Sequence, residues 1–154
     1  MSADELDKVE LPAIQQLQSL GWEYVSGDKL SADTSSERNS LKEVVLASRL
    51  SDSIKRLNPW ISEENLRKVT RDLIQLQTST LMEANQHVWQ TMVQLISVEQ
   101  NLGKGRKGQT VQDYRLRLTQ HNNQFLCTNP FKVESVKQNI IPDILLFVNG
   151  LPLG

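Results

Sequence analysis

The stretch Ile140-Ile141-Pro142-Asp143-Ile144-Leu145-Leu146-Phe147-Val148-Asn149-Gly150-Leu151-Pro152-Leu153 decides how this chain reads. Residues 140–148 are almost unbroken apolar sequence of strand length, the pattern of a central strand covered on both faces. Asn149-Gly150 follows directly. The two central residues of a type I′ turn both need positive φ, which Asn and Gly tolerate, so this pair is the strongest short-range hairpin signal. A hairpin needs a return strand, and only Leu151 to Gly154 follow, so the expectation is a strand whose partner is incomplete. One acid, Asp143, interrupts the apolar run. A carboxylate entering a core strand is costly unless it is paired or metal-bound. Magnesium chemistry on phosphodiesters uses carboxylates that rigid strand ends aim at one ion. The plain alternative is a turn Asp ahead of a strand.

Outward from this stretch, the second half of the chain keeps the period of a strand. Tyr114, Leu116 and Leu118 alternate with Asp113, Arg115 and Arg117, and Phe131 and Val133 alternate with Lys132 and Glu134. Such alternation marks half-buried strands. The first half has the period of a helix. Leu11-Pro12-Ala13-Ile14 opens one, with Ile14, Leu17 and Leu20 as its apolar stripe and Gly21 as its stop. Residues 26–39 are rich in Ser, Asp, Thr and Gly and read as a loop. Ser40 and Glu43 have the spacing of a capping box. They predict a helix with Leu46, Leu50, Ile54 and Leu57 on one face, ended by Asn58-Pro59. Ser62-Glu63-Glu64 starts another, lined by Leu66, Val69 and Leu73, since acids are favoured at the positive end of the helix dipole. Leu81, Ala84, Val88, Met92 and Leu95 space a fourth. Helices followed by strands predict a mixed α/β or α+β arrangement. The expected organisation is a single partial domain over 1–154, mainly helical over 5–100 and stranded over 110–154.

Bulk properties exclude several classes. The 154 residues are 38% hydrophobic and 23% charged, a globular rather than disordered balance. A chain of this length buries roughly 70% of its unfolded surface. Eighteen acids against 17 Lys plus Arg give a net charge of −1, so any attraction to nucleic acid has to come from a local patch. Cys127 is the single cysteine and cannot form an internal disulfide, which gives no argument for secretion. The acidic opening Met1-Ser2-Ala3-Asp4-Glu5 has no signal core, and no apolar run reaches membrane-spanning length. The cytoplasm is the default location.

The Ile141–Leu153 segment resembles the N-terminal nuclease region of the restriction (R) subunit of type I restriction–modification enzymes, where Pro-Asp opens a PD-(D/E)xK motif. The likeness runs along the chain. Glu10-Leu11-Pro12-Ala13 through Leu20-Gly21-Trp22 is similar to the family's opening helix, and Leu57-Asn58-Pro59 to its helix end. Residues 85–98 resemble the next helix and strand. Asn122-Asn123-Gln124-Phe125-Leu126 is similar to the Asn-Asn-x-Phe that begins a strand. Each motif is short; their order and spacing carry the resemblance. Arg115-Leu116-Arg117-Leu118-Thr119-Gln120-His121 departs from the family's Leu-Ile-Asp-Phe.

The resemblance implies a restriction-endonuclease-like core, with a helix-rich N-terminal half and a short mixed sheet, truncated at the catalytic hairpin because the Glu-x-Lys half lies on the return strand. In the intact family Asp, Glu and Lys bind Mg²⁺ and activate water for phosphodiester cleavage, while other regions use ATP to translocate DNA. Of that set only Asp143 is present, as catalytic residue and metal ligand. Glu10, an acid on the first core helix, can complete the metal site in this superfamily, or it can simply favour the helix dipole. The implied partners are DNA and the methylase and specificity subunits. The chain alone is expected to hold no Mg²⁺ stably and to cut nothing. The alternative is a non-enzymatic protein that binds DNA or the methylase–specificity complex. Residues 140–153, lacking a full partner strand, are expected to drive self-association.

The remaining candidates are weaker. Gly103-Lys104-Gly105-Arg106-Lys107-Gly108-Gln109-Thr110 departs from the Walker pattern, which needs Lys where Gln109 stands and a helix where strand-like sequence follows. As a basic loop it offers Lys104, Arg106 and Lys107 to DNA phosphates, or it is a solvated hairpin loop. His87 and His121 have no partners at metal spacing, Cys127 has no basic neighbour to activate it, and Trp22, Trp60 and Trp89 read as core anchors.

Overall fold

A computed structural model of the chain describes residues 6–31, 37–38, 40–75, 96–101, 106–111, 123–134 and 139–153. It divides into two compact units: Met1–Leu46 with Asn123–Gly154, and Ala47–Asn122. The expected fourth helix over residues 81–95, the expected strand over residues 113–118, Trp89 and both histidines lie outside the described residues.

The first unit is built on a four-stranded mixed sheet. A π-helical turn, Leu6–Glu10, runs into helix α1, Leu11–Ser19, which carries Pro12 in its first turn. Gly21, at φ 95°, ends α1 as expected, and Trp22 N–H returns to the Leu17 carbonyl at 3.1 Å. Of the expected stripe only Ile14 is fully buried, and Leu20 is 59% exposed. Strand β1, Glu23–Tyr24, then pairs in parallel with β4, Phe125–Thr128. The helix–strand reading of the first half had no place for β1. Pairing continues past it through Val25 N–H to the Cys127 carbonyl and Gly27 N–H to the Asn129 carbonyl. A Cβ on Gly27 would fall 1.6 Å from the Pro130 carbonyl oxygen, so only glycine permits this approach.

Strand β5, Leu145–Val148, pairs antiparallel with β4, and β6, Leu151–Leu153, pairs antiparallel with β5, giving the order β1-β4-β5-β6. Asn149 at φ 53° and Gly150 at φ 84° make the turn. This corrects the expectation of an incomplete partner: Leu151, Pro152 and Leu153 already pair with Val148, Phe147 and Leu146.

The strand is also shorter than the apolar run. Asn149 N–H bonds the Gln124 carbonyl, so by two-residue alternation Phe147 and Leu145 also turn their bonding groups toward β4. The paired ladder ends at Thr128 and Leu145, ahead of bends at Asn129–Pro130 and Asp143–Ile144. It resumes as one bridge between Val133 and Ile140, leaving Ile140 and Ile141 51% and 54% exposed. The core of this unit is Leu30, Leu46, Leu126, Phe131 and Phe147, with the two Phe rings edge-on at 5.4 Å.

Ser40 and Glu43 do not cap a helix. They close an isolated turn, Glu43 N–H to the Ser40 carbonyl at 3.2 Å. The carbonyls of Leu41 and Glu43, which a helix would need, accept hydrogen bonds from the Arg38 guanidinium instead, and Leu46 N–H bonds the Gly150 carbonyl.

In the second unit, helix α2 spans Ala47–Leu57 and α3 spans Glu63–Gln75. Asn58 ends α2, its side-chain amide bonding the Ile54 carbonyl at 3.0 Å. Ser62 caps α3, accepting Asn65 N–H at 3.2 Å. Leu50 and Ile54 on α2, and Leu66, Val69 and Leu73 on α3, are buried. Each such side chain contributes roughly 1.5–3 kcal/mol. Strands β2, Ile96–Asn101, and β3, Arg106–Val111, form an antiparallel hairpin. Among the described residues no helix is long and apolar enough to cross a membrane.

Candidate functional site

Asp143 stands in a bend two residues ahead of β5, exposed to solvent. Pro142 before it lacks a backbone donor, and the β4–β5 pairing ends at Leu145, so Asp143 sits at an open end of the sheet rather than inside a ladder.

Glu10 comes to the same end by another route. It is the last residue of the π-helical turn, directly ahead of α1, and is 3% exposed. Its Oε2 accepts a hydrogen bond from Asn129 Nδ2 at 2.8 Å. Asn129 Oδ1 in turn accepts one from the Tyr24 hydroxyl at 2.7 Å, and the carboxylate, which only accepts, fixes which way the amide points. Asn129 follows the last residue of β4, and Thr128 of β4 faces Leu145 at the start of β5. Tyr24 ends β1, which runs parallel to β4. Tyr24, Asn129 and the carboxylate that Asn129 holds therefore gather where Asp143 leads into the sheet. Glu10 Oε1 is buried with no hydrogen-bond partner among the described residues. A buried acceptor left unsatisfied costs about 1–3 kcal/mol.

Tyr24 and Asn129 are not legible as site residues in the sequence. Their hydrogen bonds span 105 and 119 positions, and no local spacing signals either. Among the described residues no three of His, Cys, Asp and Glu come together as metal ligands.

The basic stretch belongs to the second unit. Asn101 pairs with Arg106, so the connection between β2 and β3 is the loop of a hairpin and the chain continues into a strand, not the helix a phosphate loop requires. Arg106 and Lys107 open β3; Lys104 lies outside the described residues. Cys127 is fully buried on β4, and burial pushes its thiol pKa above the ordinary value. Trp22 is half-buried and packs on Phe125 with ring centroids 5.2 Å apart, and Trp60 is likewise half-buried.

Residues 2–154 match the family described as Type I restriction enzyme R protein N terminus (HSDR_N). The chain is 33% identical over 149 residues to the type I restriction enzyme HindI endonuclease subunit of Haemophilus influenzae. It is 29% identical over 151 residues to a Methanocaldococcus jannaschii protein named after the endonuclease subunit of the type I restriction enzyme MjaIXP. These alignments cover 94% and 95% of this chain and 14% of each relative, so the chain spans about one seventh of their length. No solved structure matches. The order of short motifs noted in the sequence is thus the signature of a family, and the chain belongs to that of the type I restriction enzyme R-protein N-terminal regions.

Proposed function

We propose that the chain forms the nuclease core of a type I restriction enzyme R subunit, an ATP- and Mg²⁺-dependent endodeoxyribonuclease when intact. In this reading it is a restriction-endonuclease-like core that contributes Asp143 to a PD-(D/E)xK site. The observation that carries the reading is the placement of Asp143, exposed at the end of the sheet directly ahead of β5, in a chain that matches the R-protein family along almost its whole length. A carboxylate in that position can ligate a cation and face a phosphodiester without leaving a buried charge behind.

Mg²⁺ belongs to the intact enzyme. In this reading the 154-residue chain by itself does not cut, since an ion held by one protein carboxylate is bound weakly and oriented poorly. Its partners in the intact assembly are DNA and the methylase and specificity subunits, and its place is the cytoplasm, where those partners work. Glu10 has a supporting role at the same sheet end.

The test is a chimera in which this chain replaces the aligned residues of the HindI endonuclease subunit, assayed on supercoiled plasmid with the methylase and specificity subunits, Mg²⁺ and ATP. The chimera should cut, Asp143→Ala should abolish cutting while ATP hydrolysis continues, and the isolated chain should not nick. A chimera that cuts equally well with Asp143→Ala, or one that hydrolyses ATP but does not cut with Asp143 intact, overturns the reading.

A further inference from the structure

Arg38 is 2% exposed, and among the described residues its hydrogen bonds go to neutral carbonyls. Its Nε donates to the Glu43 carbonyl, its Nη1 to the Lys132 carbonyl, and its Nη2 to the carbonyls of Leu41 and Lys132, at 2.8–3.2 Å. The guanidinium lies over the Phe131 ring, 4.1 Å from its centroid. A guanidinium has five N–H donors. These four bonds leave one, on Nη1, without a partner among the described residues. Glu43 attracts it electrostatically, but desolvation is the larger effect and holds its pKa below the ordinary value. Burying a charge against neutral acceptors alone is costly, and an anion is what relieves the cost.

The structure provides a space for that anion. Arg38 lines a cleft of about 350 Å³ together with Ser31, Pro130, Lys132 and Ile141, with Asp28 as the acid on its wall. Asp28 is itself partnered. Lys132 is held by Glu134 at 3.5 Å, but both side chains are nearly half exposed, and such a pair is worth little and exchanges readily. The cleft also adjoins the candidate site. Pro130 directly follows Asn129, which bonds Glu10, and Ile141 is two positions from Asp143.

We propose that this cleft binds a phosphate group of the DNA backbone, with Arg38 as the fixed buried charge and Lys132 as the mobile one that leaves Glu134 for the phosphate. The inference rests on the nuclease reading for the source of the phosphate. It assigns sequence-independent contacts, since a guanidinium and an ammonium aimed at phosphate position a duplex without reading bases.

The experiment uses the 154-residue chain and two probes, inorganic phosphate and a labelled 20-base-pair duplex. Phosphate titrated against chloride at constant ionic strength should shift the NMR signals of the Arg38 Nε–H and of the Ser31 and Lys132 backbone. Duplex binding, followed by fluorescence anisotropy at several salt concentrations, should lose about 0.9 from its logarithmic salt slope in Lys132→Gln, which is roughly eight-fold in affinity at 0.1 M salt. Lys132→Arg should retain both. Lys55→Gln, at an ion-paired lysine of α2, should change neither. Lys132 is exposed enough for its variants to fold, and circular dichroism checks that they do. An absent phosphate shift overturns the proposal. So does a phosphate shift with an unchanged duplex slope in Lys132→Gln, which would leave the nuclease reading standing because the duplex still binds. A wild-type chain with no duplex binding at all overturns the proposal and counts against the nuclease reading together.

Discussion

Asn149 joins two parts of the sheet that the turn alone would leave independent. It adopts φ 53° and is fully buried, unusual for a hairpin tip. Its Oδ1 accepts the Gln124 N–H and its Nδ2 donates to Asn123 Oδ1, both at 2.9 Å, so the tip is tied to the residues that lead into β4. Replacement by alanine removes both bonds and puts a Cβ-bearing residue without a polar group into left-handed backbone. Asn149→Ala should therefore destabilise the chain by about 2–4 kcal/mol in urea unfolding. A loss below about 0.5 kcal/mol would mean that the tip is held by backbone bonds alone. The same residues explain why Asn122-Asn123-Gln124-Phe125 is informative as sequence: Asn123 and Gln124 anchor the hairpin tip, and Phe125 begins β4. The turn itself was legible from Asn149-Gly150 because positive φ is a local demand. The tie to Asn123 was not, because it spans 26 positions.

At the scale of elements, what the sequence conveys depends on whether the determining partner is nearby in the chain. Ser62 caps α3 and Asn58 ends α2 through bonds within four residues, and both boundaries were legible. The start of α2 was misplaced because Arg38 takes the local carbonyls and Leu46 bonds Gly150, over a hundred positions away. Strand β5 was read too long because its length is set by β4, a distant segment whose pairing ends at Thr128. The edge strand β6 carries a proline with a definite consequence. In a hairpin with a two-residue turn, Val148 and Leu151 bond each other, so the backbone nitrogen of residue 152 faces away from β5. Pro152 thus takes a donor from the outer edge of the sheet and weakens any pairing there. We expect residues 140–153 to associate with a second copy through this edge only at high concentration. Pro152→Thr should lower the concentration at which dimers appear by about ten-fold, since a restored inter-strand bond contributes around 1 kcal/mol or more. Light scattering after size-exclusion chromatography measures this. Equal dimerisation by both chains would place self-association elsewhere, with the exposed Ile140 and Ile141 the next surface to examine.

For the whole molecule, the near-neutral balance of 18 acids and 17 Lys plus Arg leaves function to local arrangements. Here the sequence and the structure speak to different things. Asp143 was legible as a candidate because an acid beside an apolar run is anomalous. Glu10 was visible only through the family likeness, and the hydrogen bonds that place it at the same sheet end required the fold. The stability of the sheet that unites them can be followed at one atom. Cys127 lies on β4, paired with β1 on one side and β5 on the other, and is fully buried. Alkylation of its thiol therefore requires the sheet to open. Burial also holds its pKa above the ordinary value of 9.0. Below that pH the thiol is protonated whether the chain is folded or not, and it adds no pH dependence. Above it the unfolded thiol ionises while the folded one keeps its proton, so unfolding releases a proton and stability falls as pH rises. One proton limits this contribution to at most about 1.4 kcal/mol per pH unit. Cys127→Ala, which lacks the group, should be less stable than the wild type at pH 7 because of the smaller side chain, and the gap should narrow as pH rises past 9. Urea midpoints of both chains at pH 7 and pH 10, with iodoacetamide labelling of the wild type at each pH, make the measurement. A constant gap, or a native chain that is alkylated as fast as in urea, would show that Cys127 is open to solvent and that the sheet does not close around β4.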